Sequence, residues 1–259
     1  MRYIENETRS DAIDRNHPLW IDFHTKPYRG SARLSIFVAK EAPVALVIRR
    51  QPSKLWTFFR WDLITNELTE GGSYKDIFWA AGCDISWDGR YWAFYGFSTS
   101  GICHVPEMKP VVEWENSYGW GGSCFFDRPD RVRTDSGTRL PKITEPFRVE
   151  NCHRGPNIEQ ARLKRDGWKF EGNVARQRPS IEHPALLLER GSQDRRWQFS
   201  MPEVEGLIDH TVFSATYTSS RDLLVAQRGY LVRYDLPGIR RREPTFWLDL
   251  NLVRKSSRA

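Results

Sequence analysis

The chain has 259 residues, 39% hydrophobic and 13% aromatic with 11 Trp, and its 39 Lys and Arg outnumber 33 Asp and Glu for a net charge of +6. That length suits one large all-β domain or two ordinary ones, and the aromatic content favours sheet over helix. No apolar run approaches the ~18 residues that span a bilayer, and residues 1–11 (MRYIENETRSD) hold no apolar core of an export signal. Without such a signal, Cys83, Cys103, Cys124 and Cys152, none in C-x-x-C spacing, are expected to be reduced thiols of a cytoplasmic protein with no membrane association. The positive charge is spread along the chain, so it favours anionic partners in general and is also no more than solubility requires.

Residues 1–18 are polar, contain the turn signal Asn16-His17-Pro18 and read as an N-terminal arm. The domain is expected over 19–250, and 251–259 as a basic C-terminal tail. Leu19-Trp20-Ile21-Asp22-Phe23 is the first predicted strand. Ala32 to Ala39 alternates apolar with polar, Val44 to Ile48 is continuously apolar, and Leu55 to Leu63 turns through Thr65-Asn66-Glu67 into Leu68-Thr69. Short antiparallel strands fit this region.

The clearest local signal is Ser86-Trp87-Asp88-Gly89-Arg90-Tyr91-Trp92-Ala93-Phe94-Tyr95. Asp and Gly both tolerate the positive φ of a type I′ turn, so the spacing predicts a hairpin over 84–97. A short strand follows at Ile102 to Val105. Across 111–180 the pattern degrades: Tyr118-Gly119-Trp120-Gly121-Gly122 is glycine-rich and Asp127 to Thr138 polar. The exception is a short surface helix predicted near 157–167, entered through Gly155-Pro156-Asn157 and stopped at Gly167. Strands resume at 184–191, 195–199, 222–229, 230–236 and 245–250.

Three strands end alike, in Arg60-Trp61-Asp62-Leu63, Arg196-Trp197-Gln198-Phe199 and Arg233-Tyr234-Asp235-Leu236. Their separations fit units of roughly 40–45 residues, the period of a β-propeller blade. About five such blades fill the chain, with four or six as neighbouring solutions. A β-sandwich or barrel is the alternative all-β architecture. The likeness of Leu19–Phe23 to Phe246–Leu250 suggests a ring closed by pairing first and last strands in one blade, which would remove exposed edges.

Ser86-Trp87-Asp88-Gly89-Arg90 resembles the Ser-Pro-Asp-Gly-Arg hairpin of TolB-like and WD-repeat β-propellers, with Trp87 where Pro is usual. Trp61-Asp62 and Tyr234-Asp235 resemble the Trp-Asp dipeptide of the latter. The resemblance covers about half the chain, and the Gly-His dipeptide of WD repeats is missing.

No motif identifies a chemistry, and no cofactor is expected. Cys103-His104 and Cys152-His153 offer zinc-type ligands, but neighbours along a strand point to opposite faces, so no metal site is expected. The resemblance implies a hydrolase alternative, because some five-bladed propellers are carbohydrate-active hydrolases that gather acids at the axis. Hydrolysis needs two carboxyls roughly 5–10 Å apart, and Asp84 and Glu113 are the acids without an evident structural role. Arg128, Arg131 and Arg133, with Trp114, Tyr118 and Trp120 beside them, form the candidate contact surface, since Arg and aromatics dominate binding hot spots. The expected role is a non-catalytic scaffold presenting loops to another protein, an acidic one fitting the Arg cluster. Nucleic-acid or other polyanion binding through the Arg clusters is the third reading.

Overall fold

The computed structural model describes residues 2–4, 31–50, 55–74, 79–116, 123–135, 140, 146–152, 158–190 and 197–251. The expected strand at 19–23, most of the arm at 1–18, the helix entry at 155–157 and the tail beyond Asn251 lie outside them.

Five sheets follow one another along the chain. The first is β1 (Arg2–Ile4), β2 (Arg33–Val38), β3 (Val44–Arg50), β4 (Trp56–Asp62) and β5 (Leu68–Tyr74), in the order β1-β5-β4-β3-β2. The second is β6 (Asp84–Ile85), β7 (Tyr91–Tyr95), β8 (Thr99–His104) and β9 (Pro110–Glu115). The third has three strands, β10 (Cys124–Arg128), β11 (Arg131–Thr134) and β12 (Arg148–Asn151), and β12 runs parallel to β11. After helix α1 (Ile158–Arg165) come β13 (Lys169–Glu171), β14 (Val174–Gln177), β15 (Leu186–Arg190) and β16 (Trp197–Ser200). The fifth sheet is β17 (Val212–Tyr217), β18 (Leu223–Gln227), β19 (Tyr230–Tyr234) and β20 (Phe246–Asp249), with the six-residue α2 (Leu236–Arg241) between its last two strands. Strands β2, β6, β10 and β17 approach one another and mark the centre. The protein is a five-bladed β-propeller.

Antiparallel sheets this small cannot shelter large side chains alone, and the core accordingly lies between them. Phe58 and Trp92, from the first and second sheets, meet at 4.9 Å between ring centroids. Trp61 and Phe246, from the first and fifth, meet at 5.4 Å. Tyr91 and Phe126 both pack on Phe147, at 4.8 and 5.3 Å. Trp61 and Tyr234, which end two of the repeated motifs, are buried, and each following Asp closes the next turn. Asp62 Oδ1 accepts from the Ile64 and Thr65 amides at 2.9 and 3.0 Å, and Asp235 Oδ1 accepts from the Gly238 amide at 2.6 Å as the cap of α2. The third copy is not equivalent: Trp197 lies on the fourth strand of its sheet, whereas Trp61 and Tyr234 lie on third strands.

The expected pairing of 19–23 with 246–250 involves residues outside those described. β20 pairs with β19 inside the fifth sheet, and β1 extends the first sheet beyond β5. Between the first and fifth sheets, side chain to backbone hydrogen bonds add to the apolar packing. Buried Arg49 donates Nη1 to Leu250 O at 2.9 Å, Asn251 Oδ1 accepts from Ala32 N at 2.8 Å, and Ser214 Oγ accepts from Ile36 N at 3.2 Å. Arg233 donates to Leu63 O and to Asn66 Oδ1, while its other face grips Asp222.

The 84–97 hairpin is present, but its turn is not the two-residue type I′ form. Ile85 pairs with Trp92 and Ser86 N donates to Tyr91 O, leaving a four-residue loop in which Gly89 alone has positive φ, at 73°. Side chains lock it. Ser86 Oγ donates to Asp88 Oδ1 at 2.6 Å and accepts from Tyr91 N at 3.0 Å, while Asp88 receives Arg90 Nε at 2.6 Å. A Cβ on Gly89 would stand 3.0 Å from Val44, so the loop tip is also where the second sheet presses on the first.

Candidate functional site

A cavity of about 460 Å³ opens at the centre of the ring. Its wall is built from the β2 end at Ile36 to Lys40, from Asp84 of β6, from Ser214 to Ser219 on and after β17, from the C-terminal half of α1 with the turn to Trp168, and from Leu188 and Phe199 of the fourth sheet. Helix α1, the short helix expected near 157–167, turns one face inward and leaves the other toward solvent. Ile158 and Leu163 are buried, and its last residue, Arg165, reaches the centre with its side chain only 8% exposed.

Asp84 is held there from three sides. Both nitrogens at the end of the Arg165 fork bond it, Nη2 to Oδ1 at 3.0 Å and Nη1 to Oδ2, and the Phe126 amide donates to Oδ2 at 2.8 Å. Phe126 O in turn accepts from Arg165 Nη1 at 2.6 Å and from Trp87 Nε1 at 3.1 Å. One residue of β10, through its N–H and its C=O, thus ties together the second sheet, the third sheet and α1. Trp87, standing where related hairpins carry Pro, supplies an indole donor that proline lacks. Arg162 extends the clasp by donating Nη1 to Cys83 O at 2.8 Å and lying 5.4 Å over Phe37 of the first sheet.

The electrostatics follow from this crowding. Burial alone would lower the Arg165 guanidinium, but the Asp84 and Asp166 carboxylates reverse that and hold its pKa above the ordinary value. Asp166, bonded to Arg165 Nη2 at 2.7 Å, keeps 30% side-chain exposure toward the cavity. Its carboxyl is pushed up to about 6, by burial first and by the nearby Asp84 charge, against the opposing pull of Arg165. Asp166 carries no motif. The sequence signal that points to it is its place in Arg165-Asp166-Gly167, where it reads only as the end of a helix.

Glu113 does not join Asp84. It is exposed on β9, opposite Gly101 of β8, three strands out from β6 and so roughly 14 Å away at the usual inter-strand spacing. The pair expected for hydrolysis is not assembled. The candidate contact residues also separate. Trp114 is 5% exposed and packs among Ala93, Phe126 and Phe147. Tyr118 and Trp120 lie outside the described residues. Arg131 and Arg133 converge on one carboxylate, Asp127, at 2.5 and 2.8 Å, and Arg131 also lies 3.6 Å from Glu150. Of the three arginines, Arg128 alone is exposed, at the hairpin tip Arg128-Pro129-Asp130.

Cys103 and His104 sit on opposite faces of β8, one buried and one exposed. Burial pushes the Cys103 and Cys124 thiols up to about 12, and Cys83 is raised further by the same cause. Among the described residues no group of three or more His, Cys, Asp or Glu is placed to hold a metal ion. No described helix is long and apolar enough to cross a membrane.

No protein-family model matches the chain. No curated protein matches it either. Solved structures similar to it include the β-propeller domain of the Trilobed protease from Pyrococcus furiosus, at 12% identity over 77% of this chain and 66% of that one, TM-score 0.34. The WD40 domain of SCAP from fission yeast matches at 10% identity over 82% and 55%, TM-score 0.27, and an uncharacterised Listeria monocytogenes protein at 9% over 79% and 62%, TM-score 0.32. The chain spans less than two thirds of each of these three. The β-propeller assignment rests on the five sheets themselves.

Proposed function

We propose that the chain is a non-catalytic scaffold, a propeller that holds a contact surface for another protein. The observation that supports this reading is the engagement of Asp84. The axial acid that a hydrolase would need free is 1% exposed and has both oxygens bound by Arg165 and the Phe126 amide. A carboxylate so committed joins blades, with three of its roughly four acceptor sites taken inside the protein.

The contact surface proposed is the third sheet and its hairpin tip, within and beside the stretch 114–133. Among the described residues this sheet has three strands where the second and fourth have four, and its outer described strand β12 is the edge proposed to take an added strand. Its exposed charges are mixed, Arg128 and Arg148 against Asp130 and Glu150, and the two arginines are the groups proposed to meet an acidic segment of the partner.

The test is affinity capture from the native cell with the wild-type chain and with an Arg128→Glu, Arg148→Glu double variant. A discrete protein retained in stoichiometric amount by the first and lost from the second supports the reading. Identical captures by both, or a wild-type chain that retains nothing, overturn it.

A further inference from the structure

Beyond any protein partner, the central cavity has the composition of a small-molecule site. Its volume of about 460 Å³ falls within the range of ligand pockets. Its wall divides by chemistry: Leu163, Leu188 and Phe199 supply apolar surface, while Lys40, Arg162, Arg165 and Arg178 supply positive charge against Asp84 and Asp166. Two of these cations are already neutralised, Arg165 by Asp84 and Arg178 by Glu203. What remains in the wall is Lys40 and Arg162, with the partly exposed carboxylate of Asp166.

Both residual cations are held in place. The Lys40 ammonium sits 4.0 Å over the Trp87 ring, and the Arg162 guanidinium is anchored on Cys83 O and lies over Phe37. Preorganised cations of this kind bind an anion without first losing their own freedom. A dianion such as a phosphate monoester would meet the Asp166 carboxylate at close quarters, whereas a singly charged group with an apolar body matches both the net charge and the apolar wall. We propose that the central cavity binds a small organic carboxylate, its anionic end at Lys40 and Arg162 and its apolar body against Leu163, Leu188 and Phe199.

Proton linkage gives this site a signature. Asp166 is faced by Arg165 and Arg162 from α1 and by Asp84 from β6, and the same cavity wall carries Lys40 and Arg178. Protonating Asp166, which is paired with Arg165 and partly exposed to the cavity, removes a negative charge from the wall, so carboxylate affinity is expected to rise as pH falls through about 6.

The test is calorimetric titration of the intact chain with three ligands of one shape: 1-naphthoate, neutral 1-naphthamide and cationic 1-naphthylmethylamine. The expected result is naphthoate binding at least about tenfold tighter than the amide, with the amine weakest. Arg162→Met should cost naphthoate affinity about tenfold and leave the amide nearly unchanged, with thermal unfolding confirming that the variant folds. Should that variant fail to fold, Lys40→Met, on an exposed residue, makes the same comparison. Naphthoate affinity should be higher near pH 5 than near pH 8, and Asp166→Asn should flatten the difference. Equal binding of acid, amide and amine, or no binding of naphthoate by the folded wild type, overturns the proposal.

Discussion

Replacing Asp84 by Ala separates a structural clasp from a catalytic acid by the sign of one measurement. In the fold the Asp84 side chain is 2% exposed and the Arg165 side chain 8%, and the two share a bidentate contact. Removing one partner of a buried ion pair costs about 3–5 kcal/mol, because the other charge stays buried without compensation. Here the loss is moderated, since Arg165 keeps Asp166 and Phe126 O. It is also aggravated, since the Phe126 amide loses its acceptor, itself worth about 1–3 kcal/mol. The balance predicts a loss of about 3–4 kcal/mol. For a chain of this size each kcal/mol corresponds to about 2–4 °C, so the melting midpoint should fall by about 6–16 °C.

Urea unfolding followed by Trp fluorescence measures the free energy, and calorimetry the midpoint. Arg165→Met should cost at least as much, because it strands two carboxylates, Asp84 and Asp166. The double variant should cost clearly less than the sum, with a coupling of about 1–3 kcal/mol. Removing a strained catalytic acid more often stabilises a protein, through the trade-off between activity and stability. An Asp84→Ala variant as stable as wild type, or more so, would refute the clasp.

Three further outcomes follow from the same packing. Asp166 has its folded pKa raised to about 6 while an unfolded Asp titrates near 3.9, so the native state holds the extra proton and stability falls as pH rises through about 4 to 6. Asp166→Asn should flatten that slope and add about 1–2 kcal/mol near pH 8, measured by urea titration at several pH values. Arg233→Met removes the bonds to Leu63 O and Asn66 across the seam, and faster amide hydrogen exchange is expected around 62–69 and 222–234, with the second sheet unchanged. Gly71→Ala would set a Cβ 1.8 Å from Pro106 O, a backbone atom that cannot step aside, so a loss of at least about 2–3 kcal/mol is expected in the same assay.

The middle strands were legible in the sequence because they are buried on both faces between blades. Val44 to Ile48 and Leu223 to Ala226 are fully buried and read as apolar runs. The inner strands were harder. Asp84–Ile85 spans two residues, and Val212–Tyr217 interleaves Ser214 and Thr216 with apolar neighbours because one face lines a polar cavity. The third sheet hid for a different reason: its outer strand is joined in parallel across a long connection, which no hairpin signal marks. Residue type alone misled at Trp114 and Arg131. An aromatic beside arginines suits a binding surface equally well as a core residue beside a neutralised ion cluster, and pairing with Asp127 across the β10–β11 hairpin becomes visible only once that hairpin is folded.

Asp84 shows why the centre of such a ring is difficult to read. Charged residues cluster there for two unrelated reasons, to join blades whose backbones diverge and to face whatever enters the cavity, and both leave the same polar interruptions in a short strand. The distinction lies in partner count. Asp84 has its oxygens filled by Arg165 and a backbone amide, whereas Asp166 spends one oxygen on Arg165 and keeps part of its surface on the cavity. A group that saturates its bonding inside the protein carries structure, and one left with capacity at a cavity wall is available to a ligand. By that criterion Lys40, Arg162 and Asp166, and not Asp84 with Glu113, are where this propeller meets a small molecule.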